Sequence, residues 1–514
     1  MKKILLLTIF MLVLALVVAC GAENATTTQP TQETTAPVTT ATHPITEAPK
    51  TTTAVITTQV PVTTTAPETT IDLLEALEFT YVPEDRGYHL VGYGTWEGSE
   101  LTVPSEYDGK PVVAIGDEAF KYCFDLVKIT LPDSIKSIGT DCFWGCELLE
   151  SVTFGNGFAI IGEAAFYECY ALCDIEIPST VTSIGIAAFY GCESLESAII
   201  PNGITEIGML TFADCTKLKS VRLPESVTDI SDHAFYYCTS LTEINIPQNL
   251  TRLGGYAFYN CKSIESIHLP ATTVEIGNLA FSNCGKLTAF TIDETNPMYA
   301  SENSVLFNKD KTELYVAFGS PTNFTIPSGV TSIAQYAFSD CDTLTSLSIP
   351  ASVETIGYRA FSDCDKLTAI TVDAANPNFT SIDGALYNKD ATTLIAVPGG
   401  IESFTFPASV TMIGEYAFYY CRSLKSITIP AHVRKIGMCA FSGCTALTEI
   451  VIPETVSSLG EWAFFNCTNL KTIYSETRAK PASWHKDWAY GVDETAEILY
   501  KEAWSYVDGV PTKK

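Results

Sequence analysis

Leu218-Lys219-Ser220-Val221-Arg222-Leu223-Pro224-Glu225-Ser226-Val227-Thr228-Asp229-Ile230-Ser231-Asp232-His233-Ala234-Phe235-Tyr236-Tyr237-Cys238 is the stretch on which the reading of this 514-residue chain turns. Val221 and Leu223 alternate with Arg222, the period of a strand whose apolar side chains face one way. Pro224 has no N–H to continue a ladder and ends it. Val227 and Ile230 supply a second inward pair. Ala234, Phe235 and Cys238 fall at i, i+1 and i+4, the spacing of one helical turn against a core. Such a unit cannot bury these groups alone, and the chain supplies partners. The Phe of Ala-Phe, or of a close variant, recurs at Phe120, Phe143, Phe166, Phe189, Phe212, Phe235, Phe258 and Phe281, always 23 residues on. It returns at Phe338 and Phe361, then at Phe418, Phe441 and Phe464, and the two longer intervals, from Phe281 and from Phe361, are both 57 residues.

Periods of about 20 to 29 residues with Leu-x-x-Ile-x-Ile spacing are the signature of leucine-rich repeats. Stacked at about 4.8 Å per rung, these units predict a strand-rich leucine-rich-repeat solenoid about 70 Å long, with a continuous parallel sheet on one face and short helical turns at Ala-Phe-x-x-Cys. The Gly of the frequent Ile-Gly step is read as permitting a tight bend. The shared line Ile-Pro-x-x-Val-x-x-Ile-Gly-x-x-Ala-Phe-x-x-Cys resembles the BspA-like class of leucine-rich repeat surface lipoproteins, over about Phe79 to Tyr474. That resemblance implies adhesion-type roles at host or neighbouring-cell surfaces. It also implies inserts in the long intervals, near 293–325 and 373–405. Alternation in Ala385-Leu386-Tyr387 and Leu394-Ile395-Ala396, around the polar Asn388 to Thr392, predicts a β-hairpin protruding from the coil. Residues 72–111 are expected to cap the first rung of an array spanning 112–474, and 475–514, with Trp484, Trp488 and Trp504, to cap or extend its end.

Lys2 and Lys3 followed by the apolar run Ile4 to Val18 read as an export signal over 1–19, too short to span a bilayer. Val17-Val18-Ala19-Cys20-Gly21 resembles the lipobox of bacterial lipoproteins, which implies cleavage before Cys20, lipid on its sulfur and an anchor that does not span the membrane. Gly21 to Thr70 holds twenty Thr and six Pro among fifty residues. Such a tract forms no core, so 20–71 is read as a lipidated stalk. The expected location is the outer face of a bacterial cell membrane. With 59 Asp+Glu against 30 Lys+Arg the net charge is −29, which excludes nucleic acid as a natural partner.

Of seventeen cysteines, thirteen share one repeat phase. Equivalent residues on adjacent rungs point the same way at about 4.8 Å, further apart than bridged Cβ atoms at about 3.8 Å, so the ladder reads as buried thiols. Off-phase Cys142, Cys173 and Cys439 are free to differ, and Cys142–Cys169 or Cys146–Cys173 bridges stay open. The six histidines are scattered, and no phosphate loop, nucleophile elbow or His-Glu-x-x-His is present. No catalytic residue, metal or cofactor is assigned.

Two faces compete for a partner. The outward strand positions, from Thr130 to Tyr474, are mostly small and polar. The flank around Ala-Phe carries Tyr236, Tyr259 and Tyr419 one residue past Phe, and Tyr256, Tyr336, Tyr416 and Trp462 two before it, with Tyr420 beside them. These eight are the candidate ligand-binding residues; a stacking ladder that only stabilises neighbouring turns is the competing reading. The expected function is non-enzymatic binding of an extracellular protein or glycan by a monomer held to the membrane through its lipid alone. An envelope enzyme or wall-binding module in the tail, and a structural coat element, are the alternatives.

Overall fold

The computed structural model describes residues 73–319, 322–492 and 495–514. The leader, Cys20 and the Thr/Pro tract lie outside the described residues. Each 23-residue unit lays down two short strands. The alternating triplet forms the first, so Ser197–Ile199, Ser220–Arg222 and Glu243–Ile244 pair in parallel with Ser197 opposite Ser220 and Val221 opposite Ile244. The two-residue step ending in Ile or Leu forms the second, with Glu206–Ile207, Asp229–Ile230, Arg252–Leu253 and Glu275–Ile276 again in parallel. Two sheet faces therefore replace the single continuous one expected. Both are interrupted along the stack, since strands of two to four residues lose their ladder with a single missing pairing.

Ala-Phe-x-x-Cys makes no helix. The Tyr236 N–H donates to the His233 carbonyl at 3.1 Å and the Cys238 N–H to the Phe235 carbonyl at 3.2 Å, while His233 and Tyr237 between them are left-handed at φ 59°. Two left-handed residues per unit prevent i→i+4 bonding and turn other N–H groups along the stack. The Phe235 N–H thus donates to Ala257, one rung on, at 2.8 Å. This geometry stacks the buried rings from Phe120 to Phe281 with centroids 5.2 to 5.6 Å apart.

The same geometry explains the thiols. Cys238 Sγ donates to the Phe212 carbonyl at 3.0 Å, Cys261 Sγ to Phe235 at 3.1 Å and Cys146 Sγ to Phe120 at 3.0 Å. The carbonyl that closes each turn already accepts the N–H of the Cys three residues on, and its second lone pair finds a donor on a side chain small enough for the core. All sixteen described cysteines are free thiols, with Cys142 and Cys439 buried and Cys173 exposed. The Ile-Gly glycines serve spacing and not bending. Gly162 and Gly185 are not left-handed, and a Cβ on Gly162 would sit 2.3 Å from the Gly139 carbonyl oxygen of the rung before.

The inserts do not protrude. Tyr299–Glu302, Val305–Asn308 and Glu313–Ala317 form an antiparallel meander whose last strand pairs in parallel with Ser332–Ile333. Phe379–Ile382, Ala385–Asn388 and Thr393–Ala396 repeat the arrangement against Met412–Ile413. Both central strands are apolar on both faces and need cover on both; Val305, Leu306, Phe307, Ala385, Leu386 and Tyr387 are all buried. At the start, Glu78–Val82 pairs antiparallel with Gly87–Gly92, which pairs in parallel with Lys110–Ile115 and extends the second sheet. At the end, Thr472–Ser475 pairs with Glu497–Tyr500, and the buried Trp484 and Trp504 indoles each donate to a carbonyl at 3.0 Å, those of Val456 and Ser475.

Candidate binding site

The two left-handed positions of each unit lie two residues before and two after Phe. Asp141, Asp214, Asn260 and Asn283 occupy such positions, as short polar side chains readily do. Tyr256, Tyr336, Tyr416 and Trp462 occupy the first, Tyr237 and Tyr420 the second, and Arg359 again the first, all at φ between 51° and 61°. A bulky side chain gains nothing in that conformation, where an L-residue other than Gly, Asn or Asp costs about 1 kcal/mol or more. The turn does not require these residues.

In the early rungs the flank is a stacking ladder. Trp144 and Tyr167 are buried with ring centroids 4.7 Å apart, Tyr167 and Tyr190 lie 4.5 Å apart, and Lys121 Nζ sits 4.5 Å above Trp144. Further along the rings are half-buried and form a cluster. Tyr236 stacks on Tyr259 at 5.2 Å, Tyr256 meets Tyr259 at 5.7 Å, Tyr416 meets Tyr419 at 5.5 Å and Tyr419 meets Tyr420 at 4.5 Å. The Arg359 guanidinium lies 4.2 Å from the rings of both Tyr416 and Tyr419 and donates through Nη1 to the Tyr336 hydroxyl at 3.0 Å.

Electrostatics ties the two groups of rings together. The Tyr237 phenol is pushed up by burial, then by Asp214, and also by Asp340 and Tyr420, although Tyr420 lies 183 residues further along the chain. Burial raises Tyr256 too, with Tyr336 adding to the effect and Arg359 opposing it. Burial and the neighbouring Asp363 carboxylate lift Asp340 to about 7, against hydrogen bonds from Ser282 and Ser339. Asp363 is itself held by Arg422 at 2.6 Å.

Seven of the eight aromatic residues anticipated from the sequence thus gather in one region. Trp462 is not in contact with them; its ring meets Phe465, 6.5 Å away. Arg359, Asp340, Asp363 and Arg422 were missed. Arg359 had a signal, since aligning the units by phase puts it in the column of Tyr256, Tyr336 and Tyr416.

Sequence comparison matches the family described as "BspA type Leucine rich repeat region" over residues 113–242, 228–319, 308–401 and 398–480, in six copies. The chain belongs to that family. Among solved structures, this BspA-type chain is similar to a leucine-rich cell surface protein from Faecalibacterium prausnitzii A2-165, at 30% identity and TM-score 0.50, covering 80% of this chain and 95% of that one. A leucine-rich repeat protein from Bacteroides ovatus is 22% identical with TM-score 0.42, covering 84% of this chain and all of the other. The Treponema pallidum leucine-rich repeat protein is 31% identical over 41% of this chain and 88% of its own, with TM-score 0.34. Comparison with curated proteins finds no match. Among the described residues no helix is long and apolar enough to cross a membrane.

The BspA-type array keeps its histidines apart. His233 stacks on Tyr256 at 4.8 Å and His268 Nδ1 shares a hydrogen bond with Thr291 at 2.9 Å. In the tail, ligand atoms of Glu461, His485 and Asp487 come within 4.8 Å of one another. There the Asp487 N–H donates to His485 Nδ1 at 3.2 Å, so the neutral ring carries its proton on Nε2, which faces Glu461 at 3.9 Å. What the edge offers is aromatic faces, phenol hydroxyls and the guanidiniums of Arg359 and Arg422, held by the turns beneath them.

Proposed function

We propose that this protein is a lipid-anchored cell-surface adhesin that binds an extracellular protein or glycan without chemical turnover, through the tyrosine edge formed by Tyr236, Tyr256, Tyr259, Tyr336, Tyr416, Tyr419 and Tyr420. One observation carries the reading: Tyr256, Tyr336, Tyr416 and Tyr420 stand at left-handed positions that other units fill with Ala, Asp or Asn, and with Tyr236, Tyr259 and Tyr419 they collect in one half-buried group. Tyr and Arg are the residue types that dominate binding energy at interfaces, because they bring large contact area with few torsions to fix. The family and the cell surface protein from F. prausnitzii support a surface role. The lipid anchor rests on Cys20 and the Thr/Pro spacer on composition alone.

The test uses the chain from Gly21 onward. Tyr256, Tyr259, Tyr416 and Tyr419 are replaced by Ala, and binding to immobilised extracellular-matrix proteins and cell-wall glycans is measured. A loss of about tenfold or more is expected from removing four packed rings. Unchanged binding removes the edge from the account. For the anchor, Cys20→Ala in the producing cell should abolish metabolic labelling by palmitate and shift the protein to the medium.

A further inference from the structure

The chain carries 30 Lys+Arg against 59 Asp+Glu, so an arginine rarely lacks an acid. Arg252 reaches Asp229, Asp232 and Glu275 at 2.8 to 3.2 Å, and Arg422 reaches Asp363 and Asp365 at 2.6 and 3.0 Å. Arg359 differs. Among the described residues no carboxylate forms an ion pair with it, and its Nε is buried without a hydrogen-bond partner. Nη1 spends one proton on the Tyr336 hydroxyl, the group shares a hydrogen bond with the Cys439 thiol, and its plane rests against Tyr416 and Tyr419. A guanidinium cannot lose its charge, and one that no carboxylate pairs attracts an anion to the Nη protons it has left. The nearest acid of consequence, Asp363, is already neutralised by Arg422. Next to the cage stands Tyr358, 65% exposed, its ring edge-on to Tyr416 at 6.1 Å. A cleft of about 150 Å³, lined also by Leu279 and Tyr315, opens against Tyr336.

Resting on the binding role of the tyrosine edge, we propose that Arg359 anchors the carboxylate of an acidic sugar, of the uronic or sialic type, whose ring lies on the face of Tyr358. A sugar suits this cage better than an acidic peptide on electrostatic and geometric grounds. A single carboxylate can meet Arg359, whereas each further carboxylate of an acidic peptide must be brought up to a protein of net charge −29 with no second unpaired cation shown beside it among the described residues. The exposed ring of Tyr358 offers the flat surface on which the apolar face of a pyranose stacks, and the Tyr336 hydroxyl offers it a hydrogen-bonding group.

The test titrates the chain from Gly21 onward with N-acetylneuraminic acid, glucuronic acid, N-acetylglucosamine, glucose and tetraglutamate, by saturation-transfer NMR and calorimetry. At least one acidic sugar is expected to bind about tenfold or more tightly than its neutral counterpart. Arg359→Met should remove that difference and Arg359→Lys restore part of it. Because Arg359 packs against two rings, Tyr358→Ala serves as a second variant on an exposed side chain; it should weaken the acidic sugar several-fold with an unchanged circular dichroism spectrum. Equal binding of neutral and acidic sugars, unaltered binding by Arg359→Met, or tetraglutamate binding as tightly as the sugars each overturns the proposal. If the array still adheres to matrix or wall through its tyrosines while no acidic sugar binds, this inference alone falls. If the tyrosine replacements leave adhesion intact, the edge itself falls.

Discussion

Asp340 is a carboxyl group whose ionisation the fold resists. Burial, the Asp363 charge and Asp342 favour its neutral form, and hydrogen bonds from Ser282 and Ser339 only partly offset them, leaving it near 7 against an ordinary 3.8. The folded protein therefore holds a proton that the unfolded chain gives up at lower pH. The resulting stabilisation is complete below about pH 4 and lost as pH rises through about 7, roughly 2–4 kcal/mol in all. Asp340→Asn keeps the site neutral throughout. It should match the wild type in urea at pH 4 and exceed it by roughly that amount at pH 8, with part of the gain coming from relief of Asp363. Parallel stability curves for the two proteins would refute the assignment. The thiols give a second expectation. Burial lifts Cys123 and Cys439 to about 11 and most of the others beyond that range, while Cys173 is exposed. Iodoacetamide at pH 8 should label Cys173 in the native array and all sixteen described cysteines in guanidinium, as read by mass spectrometry. Rapid native labelling along the Phe-phase ladder would contradict the buried hydrogen bonds assigned to it.

The inserts show what an element inherits from its flanks. Alternation around Asn388 to Thr392 did disclose a reversal of the chain, but not its destination. Ala385-Leu386-Tyr387 is apolar without a break, and that run, more than the alternation, marks a strand covered on both faces. Asn376 fixes the point of departure. Its side chain is buried, donates to the Pro350 and Val353 carbonyls at 2.9 and 3.0 Å, and accepts from the Asn378 and Phe379 N–H groups at 2.9 and 2.8 Å. Asn296 repeats this at the first insert with the Thr273 carbonyl at 2.7 Å and the Met298 and Tyr299 N–H groups. Asn376→Ala strands four backbone groups at once. A destabilisation of roughly 2–4 kcal/mol is expected, while Asn378→Ala, on an exposed neighbour, should cost under about 1 kcal/mol. Hydrogen exchange should place the loss in 373–397 first; a uniform loss along the array would mean that the insert is not pinned there.

At the scale of the array, the repeat was legible because one unit must satisfy its neighbours with the same residues every 23 positions. The second sheet was less so, since two residues such as Asp229–Ile230 carry no alternation to detect. The binding region was half legible: the rings are a column in the repeat, whereas the approach of Tyr237 to Tyr420 depends on how two inserts are threaded between them. If stability is a sum over units and their interfaces, one whole period is dispensable. Deleting Ala198 to Ser220 joins Ser197 to Val221, the residue now opposite Ala198, and keeps every strand face. Phe189 then stacks on Phe235, Cys238 finds the Phe189 carbonyl in place of that of Phe212, and Tyr190 meets Tyr236 in place of Ala213. This protein should fold, lose no more than one unit's share of stability, and bind its ligand with unchanged affinity, because the Arg359 cage lies downstream. Removing one residue more, through Val221, puts Arg222 where Val221 was buried and inverts the strand. Burial of that unpaired charge costs several kcal/mol, so this second deletion should be unfolded or aggregated by circular dichroism and gel filtration. Equal behaviour of the two deletions would mean that register along the spine is not what holds the units together.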